Sequence, residues 1–212
     1  MFSRVPVLAL FLIVPLLSWA AGPLDVILEG GMVYNGDGGA GRIADVGLSG
    51  DRIVAIGDLG GQETDLRLDV SGLAVVPGFF DIHSHAVRDT AEKSGIFLWP
   101  DAENYIRQGV TTAIGGPDGS SWYPVSELFS LLEKSPSSIN FGTFVGHNTV
   151  RALAMGRADR APSAEELRAM KNSVNRAMTE GAFGLSSGLK YIPGAYSETA
   201  EVIELARVAG MH

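Results

Sequence analysis

The sequence predicts an α/β protein in two parts: a small β unit, then a parallel sheet built by strand–helix alternation. Three observations predict this. Residues 24 to about 77 read as short strands broken by glycine turns, with no helical period. After Pro77, β-branched apolar runs alternate with segments of 3.6 periodicity, the pattern of βα units in a parallel sheet. At the join stands the apolar run Val75-Val76-Pro77-Gly78-Phe79-Phe80-Asp81-Ile82, which ends in His83-Ser84-His85.

The chain begins with an address. Arg4 gives a short positive region, Val5 to Leu17 is almost wholly apolar, and Ser18-Trp19-Ala20 offers small residues at the −3 and −1 positions of a signal-peptidase site. The run is interrupted by Pro6 and Pro15 and falls short of the about 20 residues of a membrane span. Residues 1–20 are therefore expected to be a cleaved signal, making the product secreted or periplasmic, with no stable membrane association after cleavage. Their removal takes Arg4 and no acid, so the net charge moves from −8 to −9. With no cysteine there is no lipoprotein anchor and no disulfide. The acidic balance, with a pI near 4.9, argues against nucleic acid or an anionic membrane as the main partner.

In the β unit, Asp25–Leu28 and Met32–Tyr34 read as two strands separated by Gly30-Gly31. Asp45–Leu48 and Arg52–Ile56 flank Gly50-Asp51, a hairpin signal. Leu66–Val70 alternates, and the whole is expected to be antiparallel. The glycines between Gly36 and Gly41 do not make a phosphate loop, because no Lys-Ser/Thr follows.

In the second part, strand one is expected at Phe79–Ser84. A helix follows around Asp101–Gln108, with Asp101 as N-cap and Gly109 as its stop. Strand two is Val110–Ile114, a helix spans Val125–Lys134, and strand three is Asn140–Val145. Ser163-Ala164-Glu165-Glu166 forms a capping box. It opens a helix with apolar positions Leu167, Met170, Val174, Ala177 and Met178, stopped by Gly181. Strand four is Phe183–Ser187, and a last helix runs from about Thr199 to Ala209. Four βα units fit half of an eight-fold barrel or a small doubly wound sheet. In both, ligands sit at the C-terminal ends of the strands, where His83, His85, Asp118, His147 and Lys190 all fall.

Side chains at i and i+2 of a strand point the same way, so His83 and His85 leave one face about 7 Å apart. Two neutral imidazoles converging from a strand end make half of a metal site. The chain has only two other histidines, His147 and His212.

Four blocks together resemble the amidohydrolase superfamily, and within it the N-acyl-D-amino-acid deacylase (D-aminoacylase) group. Gly78–His85 resembles the superfamily's first-strand metal motif, and Gln108-Gly109-Val110-Thr111-Thr112 the approach to its second strand. Phe144–Arg151 resembles the deacylases' Gly-His-x-x-x-Arg block, and Gly181–Gly194 their fourth-strand block. The resemblance covers about residues 24 to 212. It implies a (β/α)8 TIM barrel, with residues 78–212 supplying its first four or so βα units. Residues 24–77 would supply the N-terminal part of a small β-sandwich. It implies zinc, one or two ions, with His83 and His85 as ligands and a metal-activated hydroxide attacking an amide carbonyl. The substrate would be an N-acyl-D-amino acid or a dipeptide with a C-terminal D-residue.

Two departures bear on the metal. D-aminoacylases place a bridging cysteine after strand two; here Gly116-Pro117-Asp118-Gly119 occupies that segment, with Asp118 at the cysteine's position. Where those relatives carry a small residue before the fourth-strand tyrosine, this chain has Lys190. Elsewhere in the superfamily a carboxylated lysine bridges two metals there, so Lys190 is expected to be carboxylated and to replace the cysteine. A solvated or substrate-binding lysine is the competing reading. Asp118 is read as a carboxylate supporting the ligands or an occasional ligand itself, against turn chemistry alone, since Pro-Asp-Gly is a strong turn signal. The family pattern places His147 near the substrate, and Arg151 could hold a substrate carboxylate bidentately; a satisfied structural histidine and a structural ion pair remain open for these two. Ser186 and Ser187 read as strand residues rather than nucleophiles.

Eight barrel strands need about 250 residues, so the chain is expected to be the N-terminal part of a longer, active product. The remaining ligands and the general base would lie beyond His212, and the part alone would be inactive. A dihydropyrimidinase- or dihydroorotase-like cyclic amidase would share the His-x-His pair and the lysine but lack the Gly-His-x-x-x-Arg block. A non-catalytic binding protein is the third possibility.

Overall fold

The computed structural model describes residues 23–88 and 91–212; the predicted signal segment lies outside them. The chain divides into two compact units, with the boundary between Pro77 and Gly78.

The first unit is one five-stranded sheet. β1 (Leu24–Val33) lies between β2 (Arg42–Ser49) and β4 (Thr64–Asp69); β3 (Arg52–Gly57) flanks β2, and β5 (Ala74–Val75) also pairs with β1. β2 and β3 form the predicted antiparallel hairpin. The sheet is nevertheless mixed: β4 and β5 run parallel to β1. Alternation shows which face a strand buries but carries no direction, so the expected all-antiparallel unit is corrected here. The two strands predicted on either side of Gly30-Gly31 are one. Gly30 adopts φ +73°, and the β1–β2 register shifts between Leu28 and Gly31, so the glycines form a bulge rather than a turn. The Asp45 carboxylate pins the bulge, accepting from the backbone N–H of Gly30 and of Leu59 at 2.9 Å each.

The second unit alternates strand and helix as predicted. β6 (Phe79–Asp81), β7 (Val110–Gly115) and β8 (Asn140–Thr143) form a parallel sheet in that order. β9 (Val145–Gly146) pairs in parallel with β10 (Leu185–Ser186). The two sheets are linked through Phe144, whose N–H donates to Gly115 O, and Val145, whose N–H donates to Gly184 O. Among the described residues the strands do not close into a barrel.

The helices are α1 (Gly95–Leu98), α2 (Glu103–Ile106), α3 (Val125–Lys134), α4 (His147–Met155), α5 (Ala164–Thr179) and α6 (Thr199–Ala209). α5 opens on the predicted capping box, with Ser163 Oγ accepting from Glu166 N and the Glu166 carboxylate accepting from Ser163 N. Its Met170, Val174 and Ala177 are buried against Val125, Val145, Val150, Leu205 and Val208. A second core joins Ala86, Ile96, Ala113, Leu128 and Ile139. The helix expected near 101–108 is a single turn, and Asp101 does not cap it. Ala102 holds the N-cap place in a left-handed conformation with no side-chain cap.

Candidate metal centre

Strand one is shorter than expected: regular pairing ends at Asp81, so His83 and His85 stand on the segment just beyond β6. The backbone between them stays anchored because Ser84 N–H donates to Ile114 O at 3.0 Å. Ser84 is buried. Its hydroxyl lies 2.7 Å from the Tyr105 hydroxyl and accepts from Ala86 N–H at 3.0 Å. Alternation then turns both flanking histidines outward, with ring centroids 5.6 Å apart and side chains 61% and 55% exposed.

The third member comes from the loop after β7. Asp118 sits at φ +58° between Gly116 (φ +72°) and Gly119 (φ +78°), a left-handed turn that aspartate tolerates. Its Oδ2 lies 3.5 Å from His83 Nε2 and 3.5 Å from His85 Nε2. One donor atom from each of the three residues falls within 4.8 Å of the others. Two ligands at about 2.0–2.1 Å from a tetrahedral ion stand roughly 3.4 Å apart, which the two imidazole–carboxylate distances match. The turn aims the Asp118 carboxylate at the two imidazoles.

The loop is held from three sides. Ser186 Oγ donates to Gly116 O at 2.6 Å and accepts from Gly119 N–H at 3.1 Å, a structural clasp and not a nucleophile. Thr149 N–H donates to Gly119 O at 3.2 Å. Gly188 packs so closely that a Cβ there would stand 1.9 Å from Asp118 O. Lys190, two residues on, lies on the exposed turn after β10 and makes no ion pair among the described residues.

His147 and Arg151 do not face this site. Both are fully buried, and both bind Glu201 of α6: His147 Nε2 to Oε1 at 2.7 Å, Arg151 to Oε2. Arg151 also donates to Ala158 O and Arg160 O. The structure thus shows the structural readings left open for these residues, a structural histidine and a buried ion pair, with Glu201 as the shared carboxylate. Glu201 was missed in the sequence. The signal was present: it stands at i with Leu205 and Val208 at i+4 and i+7, on the buried stripe of α6.

No protein-family model matches the chain. It is 36% identical to D-aminoacylase of Alcaligenes xylosoxydans xylosoxydans, over 90% of this chain and 43% of that protein. It is 39% identical to N-acyl-D-glutamate deacylase of the same organism, over 88% and 41%. A solved N-acyl-D-glutamate deacylase from Bordetella bronchiseptica, complexed with zinc and a phosphonate inhibitor, superposes with a TM-score of 0.81 at 34% identity, over 89% of this chain and 43% of that one. The chain therefore spans less than half the length of these relatives. Over the nine tenths of its residues that align, it belongs to the D-aminoacylase group of amidohydrolases.

Proposed function

We propose that His83, His85 and Asp118 hold zinc, one or two ions, in a protein that hydrolyses N-acyl-D-amino acids or dipeptides ending in a D-residue. The observation that carries this reading is the convergence of two imidazoles and one carboxylate, the imidazoles held by the pinned Ser84 backbone and the carboxylate by the left-handed Asp118 turn. Zinc, when bound, supplies a Lewis acid that polarises an amide carbonyl and acidifies water at neutral pH. The chain's own residues bind and orient: the histidines present Nε2, Asp118 contributes the negative charge, and Ser186 and Gly188 fix the loop that carries it.

Three finer readings accompany this one, the first resting on the similarity to deacylases, the second on the lysine's place in the sequence and the third on the apolar run after Arg4. Residues 78–212 form the first four or so βα units of a (β/α)8 barrel, and residues 24–77 part of a small β-sandwich. Lys190 is carboxylated and bridges two ions, in place of the cysteine that Asp118 replaces; the packing of Gly188 on Asp118 keeps the lysine's turn beside the site. Residues 1–20 direct export to the periplasm or medium. N-terminal sequencing of the mature protein tests the last, and intact-mass measurement tests Lys190 by the gain of one CO2.

The deciding experiment uses the full-length product, loaded with zinc, on a panel of N-acetyl-D- and N-acetyl-L-amino acids with a dihydropyrimidine included. Hydrolysis of the D-series, lost with a chelator and in His83→Ala, is expected. Turnover of the dihydropyrimidine alone, or activity indifferent to His83→Ala, would overturn the reading.

A further inference from the structure

A cavity of about 500 Å³ opens beside His85, lined by Gly95, Ile96, Trp99, Ala102, Tyr105 and others. Its volume lies within the range of small-molecule sites, about 300–1,000 Å³. Its floor is apolar, with Ala86, Ile96 and Ala102 all buried, while Trp99 stands at the edge with 69% of its surface exposed. The Tyr105 hydroxyl is already engaged by Ser84, and the other polar groups of the lining are those of His85, Asn104 and the Trp99 indole. Among the described residues the lining contains no lysine, arginine or carboxylate.

We propose that this cavity receives the apolar acyl chain of the substrate, with Trp99 as its outer wall. The inference rests on the amide-hydrolase reading. A substrate of that reaction has two unlike halves on either side of the scissile amide. The amino-acid half carries a carboxylate, which needs a cationic partner when it leaves water, and this cavity offers none. The acyl half of an N-acyl-D-amino acid is uncharged and gains by leaving water. Because His85 is both a cavity wall and a donor of the metal cluster, a chain seated here places its carbonyl end toward that cluster.

Gly95 provides the test. It lines the cavity, and a Cβ added to it would meet nothing nearer than Ala86 O at 3.9 Å. Gly95→Phe therefore starts from a Cβ that clears its neighbours and directs a ring into the space, and Trp99→Ala removes the outer wall. In the zinc-loaded full-length protein, kcat/KM for one D-amino acid should rise by about tenfold or more from N-acetyl to N-hexanoyl. Gly95→Phe should abolish that rise, and Trp99→Ala should flatten it. Tryptophan emission, titrated with N-octanoyl-D-alanine on metal-stripped protein, gives a readout independent of turnover. Saturable quenching in wild type that Gly95→Phe weakens is expected. A length preference that survives Gly95→Phe, or a change in preference among D-side chains instead of acyl lengths, would overturn the assignment. If no amide is hydrolysed at all, the hydrolase reading fails separately, and the emission titration decides whether the cavity binds acyl chains.

Discussion

His147 Nε2 lies 2.7 Å from Glu201 Oε1, with both side chains closed to solvent. The carboxylate accepts on both oxygens, one from the imidazole and one from the Arg151 guanidinium, so a single buried acid ties the start of α4 to α6. Removing its charge leaves the arginine buried without compensation. Glu201→Gln should destabilise the protein by about 3–5 kcal/mol, measured by denaturant unfolding. Glu204→Gln, on the same helix but paired with the half-exposed Lys171 of α5 and the exposed Arg207 of α6, should change stability little. Equal effects of the two substitutions would show that the network does not hold the fold.

That network also marks where the sequence stops being legible. α3, α5 and α6 could be read residue by residue, because periodicity, a capping box and stop signals are local. So could His83 and His85, whose alternation with a buried serine is a property of three consecutive residues. The partner of His147 and Arg151 lies 50 or more residues away, and an acid on an amphipathic helix looks like a solvated one until the neighbouring helix is in place. Strand direction in the first unit was hidden for the same reason: β4 shows its alternation but not the edge it joins. Asp101 had the chemistry of an N-cap, yet the left-handed turn at Ala102 starts that helix one residue later.

Asp118 should prove a ligand as well as a turn residue. Asparagine tolerates the same left-handed backbone but carries no charge, so Asp118→Asn separates the two roles. Zinc affinity, measured by competition with a chelating dye, should fall by about tenfold or more, with the melting temperature of the metal-free protein nearly unchanged. Unaltered affinity would reduce Asp118 to turn chemistry.

The capping box of α5 should give an acid-sensitive contribution to stability. Hydrogen bonds from Arg160, then from the Ser163 backbone, lower the Glu166 carboxyl from its ordinary 4.5 to about 2. A carboxyl depressed in the folded state stabilises fully above the unfolded value and loses that stabilisation as pH falls through the folded one. The window is therefore from about 4.5 down to about 2. Glu166→Gln keeps the capping geometry and removes the charge. Its melting temperature should lie below that of wild type at pH 7 and meet it near pH 2; a gap that persists at pH 2 would mean the charge is not its source.

Gly188 should control the metal centre without touching the metal. A Cβ at this position would lie 1.9 Å from Asp118 O and 2.6 Å from Asp118 C. These are backbone atoms, which cannot swing aside as a side chain can, so Gly188→Ala must push the Asp118 turn away from the turn after β10. The carboxylate then leaves the point where it meets His83 and His85. Overpacking of this kind costs about 1–3 kcal/mol, and a displaced ligand loses roughly 10–100-fold in metal affinity. Gly57→Ala is the control, since a Cβ there would meet nothing within 4 Å. Zinc titration of the two variants should show weakened binding only in Gly188→Ala, and equal affinity in both would mean that the Asp118 turn is set by β7 alone.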